Sequence, residues 1–184
     1  MKKITLPLTE EIALSLKAGD SVLLSGYIYT SRDQGHKRMC EALAKGENLP
    51  FDLKDSTIYY VGPSPRKDGE IIGSAGPTTS GRMDAYAPTL MAQGVRGMIG
   101  KGQRNQAVID AIKKYKCIYF GAIGGAGALL SKCIKSNELL AYEDLGAEAL
   151  CRLYVEDMPL VVVIDSYGNN LYISGREDYL AGKK

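Results

Sequence analysis

The chain of 184 residues has no tryptophan, a single histidine and no long hydrophobic run. A transmembrane helix requires about 18 consecutive apolar residues, whereas the longest apolar run here is PLVVVI at 159–164, which is typical of a buried strand. The N-terminus has neither an uninterrupted apolar region nor a cleavage site of small residues, so we expect no signal peptide. These absences predict a protein that does not enter the membrane and resides in the cytoplasm.

The sequence also lacks the close cysteine pairs of metal-binding proteins. Its four cysteines are separated by 77, 16 and 18 positions: Cys40, Cys117, Cys133 and Cys151. Structural zinc sites usually take ligands from Cys-x-x-Cys pairs, so we expect no metal site built from this chain alone. Because free cysteine is among the residue types most often buried, we interpret all four as buried free thiols.

The charge is close to balanced, with 23 basic and 21 acidic residues and a net charge of +2. Basic and acidic residues are mixed along the chain, and the twelve tyrosines follow no stacking pattern. This balance disfavours binding to nucleic acid or to an anionic membrane surface. With 45% hydrophobic residues, the composition is that of a globular protein, and the length predicts one domain over residues 1–184.

Strand and helix patterns alternate along the chain. Strands are predicted at 20–30, 56–65, 95–102, 117–121 and 159–164, and helices at 31–46, 80–94, 105–116 and 126–136. The helix at 80–94 is expected to be interrupted near Pro88. The segment 159–175 is expected to form a hairpin around Gly168-Asn169-Asn170. The alternation predicts an α/β fold with mixed parallel and antiparallel strands.

The segment GPTTSGRMD (76–84) places three consecutive hydroxyl side chains between a proline and a glycine-arginine pair. Thr78, Thr79 or Ser80 can cap a following helix by accepting a backbone N–H. A helix N-terminus attracts anions, and Arg82 offers a planar fork that matches a carboxylate. The segment therefore predicts an anion site, although plain helix capping with a surface arginine explains the same residues about as well.

A second candidate segment, YTSRDQGHKR (29–38), follows the first predicted strand. Ligands of α/β sheets gather at the carboxyl ends of strands, which favours Arg32 as a ligand-binding residue. Lys37 and Arg38 are more typical of a solvated helix face. His36 is the only histidine, and we expect it to orient its neighbours rather than to act as a base.

Of two glycine-rich segments, one presents a lysine that could bind a ligand and the other is interpreted as a structural turn. In GKGQR (100–104), Lys101 stands between glycines after a strand, from where its ammonium group can reach a cleft. The segment is not a nucleotide-binding P-loop, because Gly94 is one residue too far away and no Ser or Thr follows the lysine. GAIGGAGAL (121–129) lacks the spacing of a dinucleotide-binding turn, and we interpret it as a tight strand-to-helix turn.

Together, Arg32, Arg82, Lys101 and the hydroxyl cluster suit a ligand with two negative charges and a polarised oxygen. The sequence shows no pair of a nucleophile and a base and no cluster of residues with metal-ligand spacing. An electrophile must therefore come from elsewhere. These residues form half of a site.

Several linked motifs resemble the β subunit of the two-subunit iron–sulfur hydro-lyases, which are the class I fumarases and the L(+)-tartrate dehydratases. The motifs are, in order, SGYIYTSRDQGHKR, GPTTSGRMD, MIGKG, GGAGAL and YEDLGAEAL…LYVEDMPLVVVIDSYGNNLY. The resemblance runs from about residue 3 to 175, and single-chain class I fumarases carry the same region as their C-terminal domain. Because the chain starts at Met1 with this region only, it looks like the separate-subunit form.

This resemblance implies a swivelling β/β/α domain and an α/β hetero-oligomer. It also implies a partner α subunit that holds a [4Fe–4S] cluster on three cysteines, whose free iron binds substrate as a Lewis acid. In the family, the matching region contributes carboxylate-binding arginines, a lysine and a catalytic threonine. These roles fall on Arg32 and Arg82, on Lys101, and on Thr78, with the adjacent Thr79 as a substrate-binding residue and the alternative catalytic one.

The implied reaction is the reversible hydration of fumarate to L-malate. Arg32 and Arg82 would hold the carboxylates, Lys101 would stabilise the aci-carboxylate, and Thr78 would transfer the proton at carbon. An acid of the α subunit would serve the leaving hydroxyl. The alternatives are an L(+)-tartrate dehydratase β subunit, a non-enzymatic anion- or nucleotide-binding module, and a structural or regulatory paralogue.

Overall fold

The structure is a computed structural model that describes residues 1–122 and 125–182, with the side chains of 177 and 178 left out. The strands are β1 (Lys2–Thr5), β2 (Ser21–Thr30), β3 (Thr57–Tyr59), β4 (Gly97–Gly100), β5 (Ile118–Gly121), β6 (Ile134–Ala141) and β7 (Leu150–Ile164). The helices are α1 (Glu10–Ser15), α2 (Asp33–Ala44), α3 (Ala87–Ala92), α4 (Gln106–Tyr115), α5 (Gly127–Cys133) and α6 (Leu171–Leu180). Two 3₁₀ segments lie at Ser80–Met83 and Glu143–Glu148.

The sheet contains a parallel and an antiparallel part. Strands β1 to β5 pair in parallel, in chain order, whereas β7 runs antiparallel to β2, β5 and β6. Hydrogen-bonded neighbours run from β2 through β3, β4, β5 and β7 back to β2, so the sheet closes on itself. With helices packed outside the parallel part, this is the swivelling β/β/α architecture. The expectation of an α/β fold with mixed strands is confirmed.

Two hydrophobic clusters lie on the two faces of the parallel strands, because successive side chains of a strand point to opposite faces. In β3, Tyr59 belongs to the cluster enclosed by the closed sheet, and Ile58 belongs to the cluster under the helices. Helix α4 buries Val108 and Ile112 in the second cluster. Its first turn is capped by Asn105, whose Oδ1 accepts the Val108 N–H at 2.9 Å.

Most predicted elements are confirmed, with shifted ends. The predicted strands at 20–30, 95–102 and 117–121 correspond to β2, β4 and β5. The predicted helices at 31–46 and 105–116 correspond to α2 and α4. The strand predicted at 56–65 is limited to β3, three residues long. The helix predicted at 126–136 ends at Cys133, because the next residues form β6 along β7.

The predicted hairpin at 159–175 is wrong in its second strand: Ile164 and Asn170 form an isolated antiparallel bridge across the turn, but a helix follows. Strand β7 ends at Ile164, and the buried carboxylate of Asp165 then accepts the backbone N–H groups of Tyr167 and Asn169, which turns the chain. Helix α6 starts at Leu171. The antiparallel partners of β7 are β2, β5 and β6, which all precede it in the sequence.

Pro88 does not interrupt one helix but begins a second one. The segment 80–94 contains the four-residue 3₁₀ turn and then α3, with Pro88 in its first turn. Proline is accepted there because the first backbone N–H groups of a helix have no intrahelical partner. A single turn carries little of the macrodipole of a long helix. The segment therefore offers an anion no strong helix dipole, and anion binding by its side chains stays a prediction.

All four cysteines are free thiols, but only Cys117 is buried, so the prediction of burial is wrong for the other three. Burial raises the pKa of the Cys117 thiol to about 12. The predicted glycine turn at 121–129 includes residues 123 and 124, which lie outside the described residues. No helix of the described part of the chain is long and apolar enough to cross a membrane.

Candidate functional site

The predicted site residues lie at the carboxyl ends of the parallel strands. Arg32 follows β2, and Lys101 follows β4. Between these ends, the Thr78 N–H donates to the carbonyl oxygen of Tyr60, just past β3, at 2.8 Å. Thr79 forms a parallel bridge with Lys101. The threonine segment is therefore held against the ends of β3 and β4, and its side chains lie at the same edge of the sheet as Lys101.

The Arg32 guanidinium lies between the backbone of Gly62 and the carboxylates of Glu148 and Asp33. A Cβ atom on Gly62 would lie 2.6 Å from Arg32 Nη1, so the side chain passes directly over this glycine. Arg32 Nη2 lies 3.2 Å from Glu148 Oε1 and 3.7 Å from Asp33 Oδ1. Arg32 Nε and Glu148 Oε2 are buried without a partner in the described part of the chain. The side chain of Arg32 is 20% exposed, so the cation is positioned in advance but remains reachable.

His36 supports the backbone of Arg32. Its Nδ1 lies 2.9 Å from the Arg32 carbonyl oxygen and 2.8 Å from Ser31 Oγ. A carbonyl oxygen only accepts, so Nδ1 carries the proton and donates it. Burial lowers the pKa of His36 to about 3, which leaves the ring neutral. This geometry agrees with the orienting role expected for His36.

The threonine hydroxyls do not serve as helix caps. Thr79 is the residue before the 3₁₀ turn, and its side chain makes no capping hydrogen bond. Thr78 is half-buried and Thr79 is exposed. Of the two explanations for this segment, helix capping is therefore not supported. The hydroxyl of Ser80 is buried and has a different role.

Lys101 and Arg82 are both exposed. Arg82 belongs to the 3₁₀ turn that follows Thr79 directly, and Gly81 beside it has open space where a Cβ would be placed. Among the described residues, neither cation forms an ion pair, in contrast to Arg32. Two cations and two threonines are thus carried by two short segments, 78–82 and 101–102, which are joined by the Thr79–Lys101 bridge.

A buried ion pair under these segments was missed by the sequence analysis. Arg104 Nε lies 2.6 Å from Asp84 Oδ1, and the two side chains are 0% and 10% exposed. Asp84 Oδ2 accepts the backbone N–H of Asn105 at 2.7 Å. The available signal was that GPTTSGRMD ends in an acid and GKGQR ends in a base. Opposite charges at the ends of two candidate segments can pair where the segments meet.

A chain of hydrogen bonds links the same segments through β5. Tyr119 Oη lies 2.9 Å from both Ser80 Oγ and the Gly102 carbonyl oxygen. Because the carbonyl only accepts, the tyrosine donates to Gly102 and accepts from Ser80. Desolvation on burial raises the pKa of Tyr119. Ser80 packs so closely on β4 that a Cβ on Gly100 would lie 2.0 Å from Ser80 Oγ.

The site residues line an open surface. A groove of about 680 Å³ is lined by residues of the 64–74 loop, α5 and the start of β6. It contains none of the predicted site residues. Arg82 and Lys101 are exposed, whereas Thr78 and Arg32 are partly buried. That these residues form half of a site stays a prediction.

The fold places the chain among swivelling β/β/α domains, and its site is an open edge with cations and hydroxyls. The chain belongs to the family described as Fumarase C-terminus, whose model matches residues 1–175. The resemblance inferred from the motifs is thereby confirmed.

Relatives of two kinds share this region. The chain is 44% identical over 151 residues to the aerobic class I fumarate hydratase of Escherichia coli strain K12, which covers 81% of this chain and 28% of that protein. It is 42% identical over 156 residues to fumarate hydratase 2 of Leishmania major, covering 84% and 28%. It is 38% identical over 171 residues to a Methanocaldococcus jannaschii protein provisionally named L(+)-tartrate dehydratase subunit beta, covering 90% and 88%. The chain therefore spans about 28% of the length of these two fumarate hydratases.

Proposed function

We propose that this chain is the β subunit of an iron–sulfur hydro-lyase that converts fumarate and L-malate reversibly, at a site shared with a partner α subunit. The observation that carries the proposal is the bridge between Thr79 and Lys101 at the strand ends, with Thr78 held on Tyr60 and a pre-positioned Arg32 at the end of β2. The whole chain acts as one domain of the resulting hetero-oligomer. The family membership supports this chemistry, because the named relatives are fumarate hydratases and a tartrate dehydratase subunit.

The [4Fe–4S] cluster of such an enzyme does not fit the residues of this chain. Among the described residues, no group of three or more His, Cys, Asp or Glu side chains could hold a metal ion. Three of the thiols are only half-buried, and no two cysteines are paired. In this proposal the cluster and its ligands belong to the α subunit, and the groups of this chain act around it.

Arg32 and Arg82 bind the carboxylates of the substrate. A guanidinium presents parallel N–H donors that match a carboxylate. Arg32 meets this requirement with little loss of side-chain entropy, because Gly62 and Glu148 already hold it. Arg82 is exposed on its turn and orders on the second carboxylate. Holding both ends of a four-carbon dicarboxylate fixes which face of the carbon–carbon bond is presented to Thr78.

Thr78 exchanges the proton at carbon. In the dehydration direction a base of the α subunit first takes the hydroxyl proton of Thr78, and Thr78 Oγ1 then takes the proton as the C–H bond of malate breaks. The hydroxyl of malate leaves with a proton from an acid of the α subunit. The electron pair of the C–H bond forms the double bond. Lys101 has a separate role, because its ammonium group stabilises the aci-carboxylate charge that develops as the C–H bond breaks. Thr79 contributes a hydrogen bond to the substrate.

L(+)-tartrate is the second candidate substrate. The relative named as a tartrate dehydratase β subunit is matched over 88% of its own length, so it is a separate chain of similar size. Tartrate carries one hydroxyl more than malate, and none of the roles proposed for Arg32, Arg82, Lys101 and Thr78 depends on the absence of that hydroxyl. The choice between the two substrates therefore includes the α subunit.

The test is turnover by this chain after anaerobic co-expression with its candidate α subunit. L-malate and L(+)-tartrate are compared at equal enzyme concentration, with the α subunit alone and this chain alone as controls. The proposal expects turnover of L-malate by the pair. Preference for tartrate would make the chain a tartrate dehydratase β subunit, and tight anion or nucleotide binding by this chain alone, without turnover by the pair, would support the non-enzymatic alternative.

A further inference from the structure

Two short segments carry the proposed ligands Arg82 and Lys101, and neither segment is a long regular element. Arg82 lies in a four-residue 3₁₀ turn, and Lys101 lies in the loop between β4 and α4. Sites on loops are less precise than sites on helices or strands unless a supporting layer holds them. A displacement of about 1 Å in a ligand-binding group can cost roughly 100-fold in rate. The distance between these two cations therefore requires a fixed support.

Residues 79–80 of the first segment are joined to residues 101–102 of the second through the backbone and through one tyrosine hydroxyl. Thr79 bridges to Lys101, and the Ser80 N–H donates to the Lys101 carbonyl oxygen at 2.9 Å. The Tyr119 hydroxyl connects Ser80 Oγ to the Gly102 carbonyl oxygen. These contacts fix residues 79–80 on 101–102. They leave the next residues, including Arg82, to be fixed by something else.

The residue after the 3₁₀ turn, Asp84, is joined to the end of the Lys101 loop through both oxygen atoms of its carboxylate. Oδ1 accepts Arg104 Nε at 2.6 Å, and Oδ2 accepts the Asn105 backbone N–H at 2.7 Å. Asn105 in turn caps α4 through the Val108 N–H. Asp84 thus connects the end of the 3₁₀ turn to Arg104 and to Asn105, the residue that caps α4. Arg104 and Asn105 lie two and three residues beyond Gly102.

Arg104 is a buried cation enclosed by apolar and aromatic groups. Its guanidinium carbon lies 5.4 Å and 5.0 Å from the ring centroids of Tyr60 and Tyr119, and Nη1 lies 3.6 Å from Met98 Sδ. Nη2 is buried without a partner in the described part of the chain. A buried ion pair often adds little net stability compared with apolar residues of the same size. Its advantage is a fixed geometry, which an apolar contact lacks.

We propose that the Asp84–Arg104 pair is a positioning clamp that sets the distance between Arg82 and Lys101. The inference rests on the proposed function, in which both cations bind the dicarboxylate. Asp84 and Arg104 are themselves buried and do not touch substrate. They act through the turn and the loop that they join.

A second ion pair in the same sheet provides a matched control. Arg96 Nε lies 2.7 Å from Asp55 Oδ1, and the side chains are 15% and 20% exposed. Arg96 precedes β4 and Asp55 precedes β3, so this pair joins the amino ends of the same two neighbouring strands. It shares with the clamp the contact between arginine Nε and a carboxylate, but it lies at the opposite edge of the sheet from the site, and Arg96 Nη1 also donates to the Tyr115 carbonyl oxygen at 3.0 Å.

The test compares Asp84→Asn and Arg104→Lys with Asp55→Asn and Arg96→Lys. The α–β complex carrying each variant is assayed on the dicarboxylate that the wild-type complex turns over, and the thermal midpoint of each variant chain is recorded. The clamp predicts that KM rises roughly tenfold to 100-fold in the first pair of variants. The control pair is expected to lower the thermal midpoint with KM within about twofold of wild type. Equal KM changes in both pairs, or none in the clamp variants, would overturn the proposal.

A second measurement keeps the clamp separate from the proposed function. Amide hydrogen exchange of this chain alone reports whether the turn and the loop are joined, whatever the complex catalyses. The clamp predicts faster exchange at Asn105, whose N–H donates to Asp84 Oδ2, in Arg104→Lys, with no change at this amide in Arg96→Lys. If the wild-type complex turns over neither L-malate nor L(+)-tartrate but exchange changes as predicted, the proposed function fails and the clamp stands. Unchanged exchange in Arg104→Lys would refute the clamp.

Discussion

Individual side chains at the strand ends are held by contacts that the local sequence does not reveal. Arg32 was predicted as a ligand from its place after a strand, and its position at the carboxyl end of β2 agrees. The contacts that hold it, with Gly62 and Glu148, come from residues 30 and 116 positions away. The buried Arg104 was overlooked because an arginine at the end of a glycine-rich segment is usually exposed.

The close approach of Arg32 to Gly62 makes this glycine sensitive to substitution. In Gly62→Ala the new Cβ would lie 2.6 Å from Arg32 Nη1, so the guanidinium must move. We expect KM for the dicarboxylate to rise about tenfold or more, since a displaced ligand binds less well. The matched control is Gly76→Ala, whose Cβ would meet only ordinary contact at 3.7 Å. Steady-state kinetics of the α–β complex check both variants, and an unchanged KM in Gly62→Ala would contradict the placement of Arg32.

His36 predicts a specific pH dependence of stability. Its pKa falls from 6.5 to about 3 on folding because the buried site disfavours the charged ring. The folded state therefore gains stability from the neutral ring above pH 6.5, and loses it as the pH falls towards 3. The loss is at most about 1.4 kcal/mol per pH unit. Urea unfolding of wild type and His36→Gln between pH 7 and 5 should give a steeper decline for wild type. Parallel curves would show that His36 is not buried as a neutral ring.

Secondary-structure elements were predicted well where their pattern is local. Helices α2 and α4 and strands β2, β4 and β5 all carry a burial pattern within one segment. Strand β6 was not predicted because five consecutive residues in its centre are exposed, so no alternation marks it. The hairpin prediction failed because β7 pairs with strands that a local pattern cannot identify.

The attachment of β5 to the two site segments depends on one hydroxyl group. Tyr119→Phe removes the donor to the Gly102 carbonyl and the acceptor from Ser80. Buried groups left without partners cost about 1–3 kcal/mol, which we expect urea unfolding to detect. The same variant should raise KM for the dicarboxylate. Gly102 loses a hydrogen bond that holds it, and the proposed ligand Lys101 directly precedes it in the chain.

Tyr59→Phe is the control for that substitution. It removes a comparable buried hydrogen bond, from Tyr59 to the Ala75 carbonyl oxygen, in the cluster enclosed by the sheet. Its free energy of unfolding should fall by a similar amount. KM should change less than in Tyr119→Phe, and a larger change in the control would show that the two segments are not held by Tyr119.

At the scale of the whole molecule, the closed sheet gives a rigid support for a site that faces outward. Five strands form a closed ring, and the proposed ligands stand at one end of its parallel part. The sequence predicts an incomplete site, because it contains cations and hydroxyls but no cluster of residues with metal-ligand spacing. It could not predict the ring closure, which depends on the distant pairing of β2 with β7.

The central claim is that this chain supplies catalytic groups to a site that only the α subunit completes. The most direct measurement is a titration of purified α subunit, with its cluster intact, by this chain, following L-malate dehydration under anaerobic conditions. The account predicts negligible activity of either chain alone and a rise that saturates at a fixed ratio of the two. It also predicts that Thr78→Ala associates with the α subunit but lowers kcat by about 100-fold or more. Full activity of the α subunit alone, or near-normal turnover with Thr78→Ala, would contradict it.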